Sequence, residues 1–289
     1  MKRILTAVVL VPAVVLTIFM GPYWLVTAFS AVAAGLAGWE LLSFAPTGDA
    51  RQASVGGPSN GVSSLSVATR VVAMVAIGLL FGMNFRWPDM LPAALGGLSL
   101  GLLVWCAFAL PTGQVMTGAA QAVFALLYTG ATMVTLPMIF SSEDGKSVVL
   151  FLLCAVWAGD ITALYVGRAW GRHRMAPRLS PNKTWEGAAG SMAGSVAIAA
   201  ALYGLAAGMN AHDLNMLLYT GPLMRWVGLA AVVNVAAQVG DLVESALKRS
   251  AGVKDSGRLL PGHGGMLDRV DALLLAAPVL WYVLLVQRI

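Results

Sequence analysis

Apolar runs of bilayer-spanning length follow one another almost without a break through this sequence, and no other feature restricts its fold so strongly. A helix needs about 20 apolar residues, roughly 17–25, to cross the hydrocarbon core. Nine segments come close to that length: 4–20, 23–45, 68–83, 89–110, 117–140, 147–167, 187–208, 223–247 and 267–287. Lipid offers no partner for backbone polar groups, so such runs must be helical. The expected fold is an all-α polytopic membrane protein with about nine transmembrane helices and a cytoplasm-facing, intramembrane polar cavity.

The first run follows Lys2 and Arg3 and imitates a secretory signal. It has no clear small-x-small cleavage site and leads at once into the next run, so it reads as a retained helix. The stretch from Pro46 to Val67 is rich in Gly, Ser and Pro and is expected to be a mobile loop. No internal repeat of the kind that marks many transporters is visible. Residues 1–145 are read as a lipid-facing scaffold, and residues 146–289 as the catalytic region with cytoplasmic loops 168–186 and 248–266.

Charge supports the membrane reading. A length of 289 residues would permit one or two soluble domains, but only 11% of residues are charged. Soluble domains carry about 25%. The net charge of +5 comes from short basic clusters between apolar runs, a topology signal rather than a nucleic-acid-binding face. Cys106 and Cys154 both lie in apolar runs and read as packing residues, with no disulfide or thiolate–metal site indicated. With the N-terminus in the cytoplasm and sides alternating, only Arg86, Lys146, Arg225 and Arg288 of the 18 Lys and Arg fall on the opposite face. The two polar loops then share the cytoplasmic side.

Acids within the apolar segments mark the chemistry. Asp160 precedes Arg168, Asp241 precedes Lys248, and Asp268 and Asp271 follow Gly265. At 1.5 Å per residue these carboxylates lie about 4–12 Å below the cytoplasmic helix ends. A carboxylate at the bilayer centre costs about 2.5–3.5 kcal/mol and normally faces a partner or an aqueous cavity. For Asp268, in the first turn of the last helix, capping is the structural alternative. Taken together, Asp241, Asp268 and nearby Asp271 suit a divalent cation, and oxygen ligands without cysteine or clustered histidine favour Mg²⁺.

In "GDLVESALKR", Asp241, Glu244, Ser245 and Lys248 share one helical face, so the stripe should line a cavity; Glu244 and Lys248 are also spaced for an ion pair. The following "LPGHGG" brings glycines before a helix start, where free N–H groups attract phosphate. His263 suits either a phosphate contact or the turn itself. In "RLSPNKTWEG", Ser180 and Pro181 are expected to open a helix as cap and first residue, and Lys183 offers a second anion contact. Arg172, Arg174 and Arg178 are explained by topology and anionic headgroups. Glu40, in "GWELL", also lies near a cytoplasmic helix end. Such equipment suits phosphoryl or nucleotidyl transfer, by positioning and charge neutralisation. A related lipid-linked kinase acting on polyprenol, a cytidylyltransferase for another lipid, and a transporter are the alternatives.

Ser245-x-Leu247-Lys248-Arg249, Lys254-Asp255-Ser256-Gly257, Leu260-Pro261-Gly262-His263-Gly264-Gly265 and Asp268-Arg269-Val270-Asp271 together resemble the signature of the phosphatidate cytidylyltransferase (CDP-diacylglycerol synthase) family. Upstream, Trp157 to Gly187 resembles that family's second polar segment, and the two stretches cover about a fifth of the chain. The resemblance implies that CTP and phosphatidate give CDP-diacylglycerol and pyrophosphate with Mg²⁺, in phospholipid biosynthesis. It implies Asp241 and Asp268 as principal metal ligands, with Asp271 and Asp160 as helpers, and allows a second, monovalent cation. Lys183, Lys248, Arg249, Lys254, His263 and Arg269 would meet phosphates. Asp255 joins the catalytic set, and Ser180, Asn182, Thr184, Gly264 and Gly265 the nucleotide-binding one. A homodimer among membrane lipids, in the bacterial inner membrane with its site facing the cytoplasm, is implied too. One departure is that Ile161 and Leu164 stand where the family often has a small or hydroxyl residue and an aromatic, so no tyrosine role is carried over there.

Overall fold

The structure, a computed structural model, describes Pro12 and residues 14–44, 65–257 and 264–287. Residues 14–20 are helical; most of the first expected span, the Pro46–Val67 loop up to residue 64, and His263 lie outside the described residues. Among the described residues nine α-helices follow, in order α1 (Tyr23–Leu41), α2 (Val67–Arg86), α3 (Leu91–Ala109), α4 (Val115–Ala125), α5 (Thr135–Phe140), α6 (Gly145–Trp170), α7 (Trp185–Asn210), α8 (Leu223–Ser250) and α9 (Leu267–Val286). A π-helical stretch, Leu126–Ala131, joins α4 towards α5. Eight segments of the described chain are long and apolar enough to cross a membrane, Thr112–Phe140 counting as one. The protein is therefore an all-α, multi-pass membrane protein, as its apolar runs predict.

Why these helices need a bilayer is clearest in α2. Ala73, Ala76, Ile77, Leu80 and Phe81 are buried, while Val67, Val71, Val75 and Leu79 project outward. A helix apolar on both faces has no water-compatible side and must place one face in lipid. The outward stripe runs at i, i+4 spacing, whereas in a soluble protein those positions would be charged.

Compact packing divides the chain into two units, and the boundaries cut within α1, α8 and α9. The first unit holds Met1–Val26, Thr135–Val243 and Asp271–Ile289. Its central seam is α6 against α7, built on small residues. A Cβ at Gly159 would stand 2.7 Å from Asn234 Nδ2 and 2.8 Å from Ser195 Oγ; one at Gly190 would stand 2.6 Å from Val166. Small residues let membrane helices approach closely enough for polar groups to bond across them. Here Asn234 Nδ2 donates to Ser191 Oγ and Ser195 Oγ, both at 2.8 Å, and Ser195 Oγ donates to Ala155 O at 2.7 Å. Gln238 Nε2 adds a 2.6 Å bond to Asn234 Oδ1. On α8, Gly240 faces the α9 backbone: a Cβ there would stand 2.6 Å from Asp271 O.

One antiparallel hairpin, β1 (Arg174–Ala176) and β2 (Ser180–Thr184), connects α6 to α7, with Arg174 opposite Thr184 and Ala176 opposite Ser180. Ser180 and Pro181 therefore do not open the helix as the sequence suggested. Pro181 is acceptable in a two-stranded sheet because its missing N–H can face outward, and its carbonyl accepts from Arg174 Nη1 at 2.7 Å. The cap is Thr184, extended at φ −126°, whose hydroxyl accepts the Gly187 N–H at 3.1 Å.

The second unit holds Thr27–Val134 and Glu244–Val270. Within it α2, α3 and α4 pack together, and α1 approaches through Gly38, where a Cβ would stand 2.9 Å from both Ile77 Cδ1 and Thr129 Oγ1.

Gly240→Val should lower stability in detergent by about 1–3 kcal/mol, because the added bulk meets backbone rather than a yielding side chain. Gly101→Ala, where nothing lies within 4 Å, should show no loss. Thermal melts of the two purified variants check the contrast.

Candidate active site

In the first unit the polar groups gather around Asp241. Its Oδ2 lies 2.6 Å from Lys183 Nζ, and both side chains are partly exposed. Lys183 reaches it from β2, so the hairpin that displaces the expected helix start is also what delivers the lysine. Asp271, on α9, offers a carboxylate oxygen within 4.8 Å of one from Asp241. The close α8–α9 approach at Gly240 makes that meeting possible. Asp160, on α6, is solvent-accessible and feels the charges of Asp241 and Lys183. Four groups singled out from sequence thus come together from α6, β2, α8 and α9. Asn182 is exposed beside them, and Ser180 and Thr184 are half-buried in β2.

The base of the hairpin is clasped by Glu186, which the sequence reading did not single out. Its carboxylate accepts from Arg172 N at 3.1 Å and His173 N at 3.2 Å, and lies 2.6 Å from His173 Nδ1. A carboxylate in the first turn of α7 also suits the helix dipole.

In the second unit the centre is Lys248. Its Nζ lies 2.6 Å from Glu244 Oε2 and donates to Asp268 Oδ1 at 2.7 Å. The pairing of Glu244 with Lys248 expected from their spacing is present. Glu244 is wholly buried, and its contact with the lysine is an ion pair rather than an aligned hydrogen bond. Asp268 is held further by N–H groups of Gly265, at 2.8 Å, and Ser256, at 3.0 Å. It both reaches back to cap the start of α9, the alternative weighed from sequence, and faces a lysine. Gly264 makes the turn with φ +77°, and a Cβ there would stand 2.6 Å from Asp268 Oδ2.

The remaining residues proposed from sequence lie at the edge of this arrangement. Lys254 and Asp255 are exposed in the turn after α8, and Arg269 is exposed on α9. Arg249 donates from Nη1 to Val253 O at 3.0 Å, steadying that turn. Glu40 is buried on α1 and accepts from Ser256 Oγ, Met266 N and Leu267 N at 2.8–2.9 Å. From "GWELL" alone Glu40 could be placed near a helix end but given no role.

Chemically, the two sets supply acids able to hold a hard cation and lysines able to meet phosphate oxygens. Oxygen donors from Asp241 and Asp271, with no sulfur or imidazole beside them, fit Mg²⁺.

A protein of Brucella abortus (strain 2308) named phosphatidate cytidylyltransferase is 41% identical over 186 residues, covering 64% of this chain and 64% of the relative. The chain thus spans about two-thirds, 64%, of the Brucella protein's length in the match. A Mycobacterium leprae protein of the same name is 34% identical over 233 residues, 72% of this chain and 70% of that one. One from Mycobacterium tuberculosis (strain ATCC 25618 / H37Rv) is 33% identical over 206 residues, 66% and 58% of the two. With residues 1–287 matching the cytidylyltransferase family model, the chain belongs to the cytidylyltransferase family.

Proposed function

We propose that this protein transfers CMP from CTP to phosphatidate, giving CDP-diacylglycerol and pyrophosphate, in a bacterial inner membrane with its site open to the cytoplasm. The observation that carries the reading is the Lys183–Asp241 pair at 2.6 Å, beside Asp271, in a chain of this family. The names of the relatives supply the substrate class. Positive-inside charge asymmetry supports the orientation. The reacting groups come from residues 146–289, and residues 1–145 serve chiefly as lipid-facing scaffold.

Asp241 and Asp271 would hold Mg²⁺, with Asp160 nearby and Asp268 as the further ligand proposed from sequence. Bound there, the ion would neutralise phosphate charge and polarise the α-phosphoryl group of CTP. The side chains do the rest. A phosphatidate oxygen, ionised near neutral pH, attacks the α-phosphorus; the bond to the β-phosphate oxygen breaks, and pyrophosphate leaves. No side chain has to remove a proton for this step. Lys183 and Lys248 are already directed by carboxylates, so each is oriented before a phosphate arrives. Arg249, Lys254 and Arg269, exposed at the edge, would offset repulsion between the two polyanions. His263 and the glycine turn complete the phosphate-facing set in this proposal. A homodimer, and a monovalent cation beside Mg²⁺, belong to the same reading.

Purified protein given α-³²P-labelled CTP and phosphatidate should pass label to lipid. Label in lipid only from γ-³²P-CTP would instead identify a lipid kinase. Chelation with EDTA should stop transfer, and added Mg²⁺ should restore it. Asp241→Asn should lower transfer by about two orders of magnitude or more while the protein remains folded in the membrane. Lys183→Ala should chiefly raise the KM for substrate; unchanged KM for both CTP and phosphatidate would remove it from the site.

A further inference from the structure

We infer that Glu40 is a positioning residue of this site: from the N-terminal part of the chain it sets where the Asp268 carboxylate stands against Lys248. The inference rests on the proposed reading of Asp268 and Lys248 as site residues. Glu40 is only 5% exposed, and both of its oxygens are used. Oε1 accepts the Met266 N–H at 2.9 Å; Oε2 accepts the Leu267 N–H and the Ser256 hydroxyl, each at 2.8 Å.

The two N–H groups belong to the very start of α9, where a helix has unsatisfied donors and favours negative charge. A cap normally comes from the adjacent chain. Here it comes from a residue 227 positions earlier. Ser256 passes the constraint on: its hydroxyl donates to Glu40 and receives the Asp268 N–H at 3.3 Å, while its own N–H donates to Asp268 Oδ2 at 3.0 Å. Asp268 in turn accepts from Lys248 at 2.7 Å. A continuous chain of bonds thus runs from Glu40 through Ser256 to Asp268 and Lys248.

Space tells the same story. A Cβ at Gly257 would stand 2.6 Å from Glu40 Oε1, and one at Gly265 would collide with Glu40 Oε2 and Ser256 Oγ. Two glycines of the motif are therefore shaped around this carboxylate. A buried acid encircled by three donors is tolerable only while all three remain aimed at it, so the arrangement fixes backbone position on both sides of the motif.

Glu40→Gln tests this, because the amide is nearly isosteric but replaces one acceptor with an NH₂ group facing donors. Hydrogen exchange in native membranes or nanodiscs should rise in segments 253–257 and 264–270 and stay unchanged in 148–156. In the lipid-transfer assay, kcat should fall about 10- to 100-fold, with KM for CTP changed less than about threefold. Glu40→Asp should recover part of the loss. Ser256→Ala should slow turnover as well, and the double variant should be no slower than the slower single one, as members of one network behave. Wild-type exchange in both segments, or fully additive losses in kcat, would overturn the assignment. If wild-type protein transfers no CMP to lipid, the proposed function fails, and the exchange measurement still decides the role of Glu40.

Discussion

A carboxylate inside a membrane protein is tolerable only where donors or cations surround it, and that requirement organises the polar half of this molecule. Asp241 has Lys183, Glu244 and Asp268 have Lys248, and Glu40 has a hydroxyl and two backbone N–H groups. Each solution draws on a segment remote in sequence or on a helical neighbour. The need to satisfy these acids therefore dictates which loops must fold back onto which helices. Outside them, packing is accomplished largely by small residues and aliphatic chains, which specify proximity but little chemistry.

The pairing scheme also accounts for the mixture of charges in the two polar loops. Lysines alone would suit phosphates but would carry unscreened repulsion in a poorly polarisable environment; acids alone would carry the converse. Set together, they hold one another in extended, directed conformations. An ammonium already fixed by a carboxylate loses less freedom when it meets a phosphate oxygen, which matters for a side chain as flexible as lysine. The hairpin contributes to this economy by delivering Lys183 from a strand clasped at its base by Glu186, rather than from a free loop.

Much of this was legible in the sequence, and the exceptions have physical causes. Apolar runs gave the helices because lipid leaves no alternative for the backbone, and the i, i+4 spacing of Glu244 and Lys248 located their ion pair. Similar depth was expected of Asp160, Asp241, Asp268 and Asp271; Asp241 and Asp271 do approach one another, while Asp268, expected to share a cation with Asp241, is held by Lys248 and two backbone N–H groups. The helix start at Ser180-Pro181 did not survive, because strand pairing with residues 174–176 competes with a local capping signal and lies beyond its range. Glu40 could be noticed but not partnered, since its bonds span 216 to 227 residues. The π-helical turn at Leu126–Ala131 left no trace in hydropathy at all. Asn234 and Gln238 were invisible for another reason: they are isolated polar residues in a long apolar run, and only the serines facing Asn234 and the Ala188 carbonyl facing Gln238 give them meaning.

The glycine-lined seam between α6 and α7 has a mechanical consequence. Two helices whose backbones nearly touch, cross-linked by Ser195 to Ala155 O and braced by Asn234 of α8 on both α7 serines, have little room to slide or tilt independently. Asp160, in the C-terminal half of α6, and Lys183, just ahead of α7, are consequently carried on a single stiff body. A tilt imposed on this helix pair by a change in bilayer thickness would therefore carry the acid and the lysine together, leaving the spacing between them nearly constant.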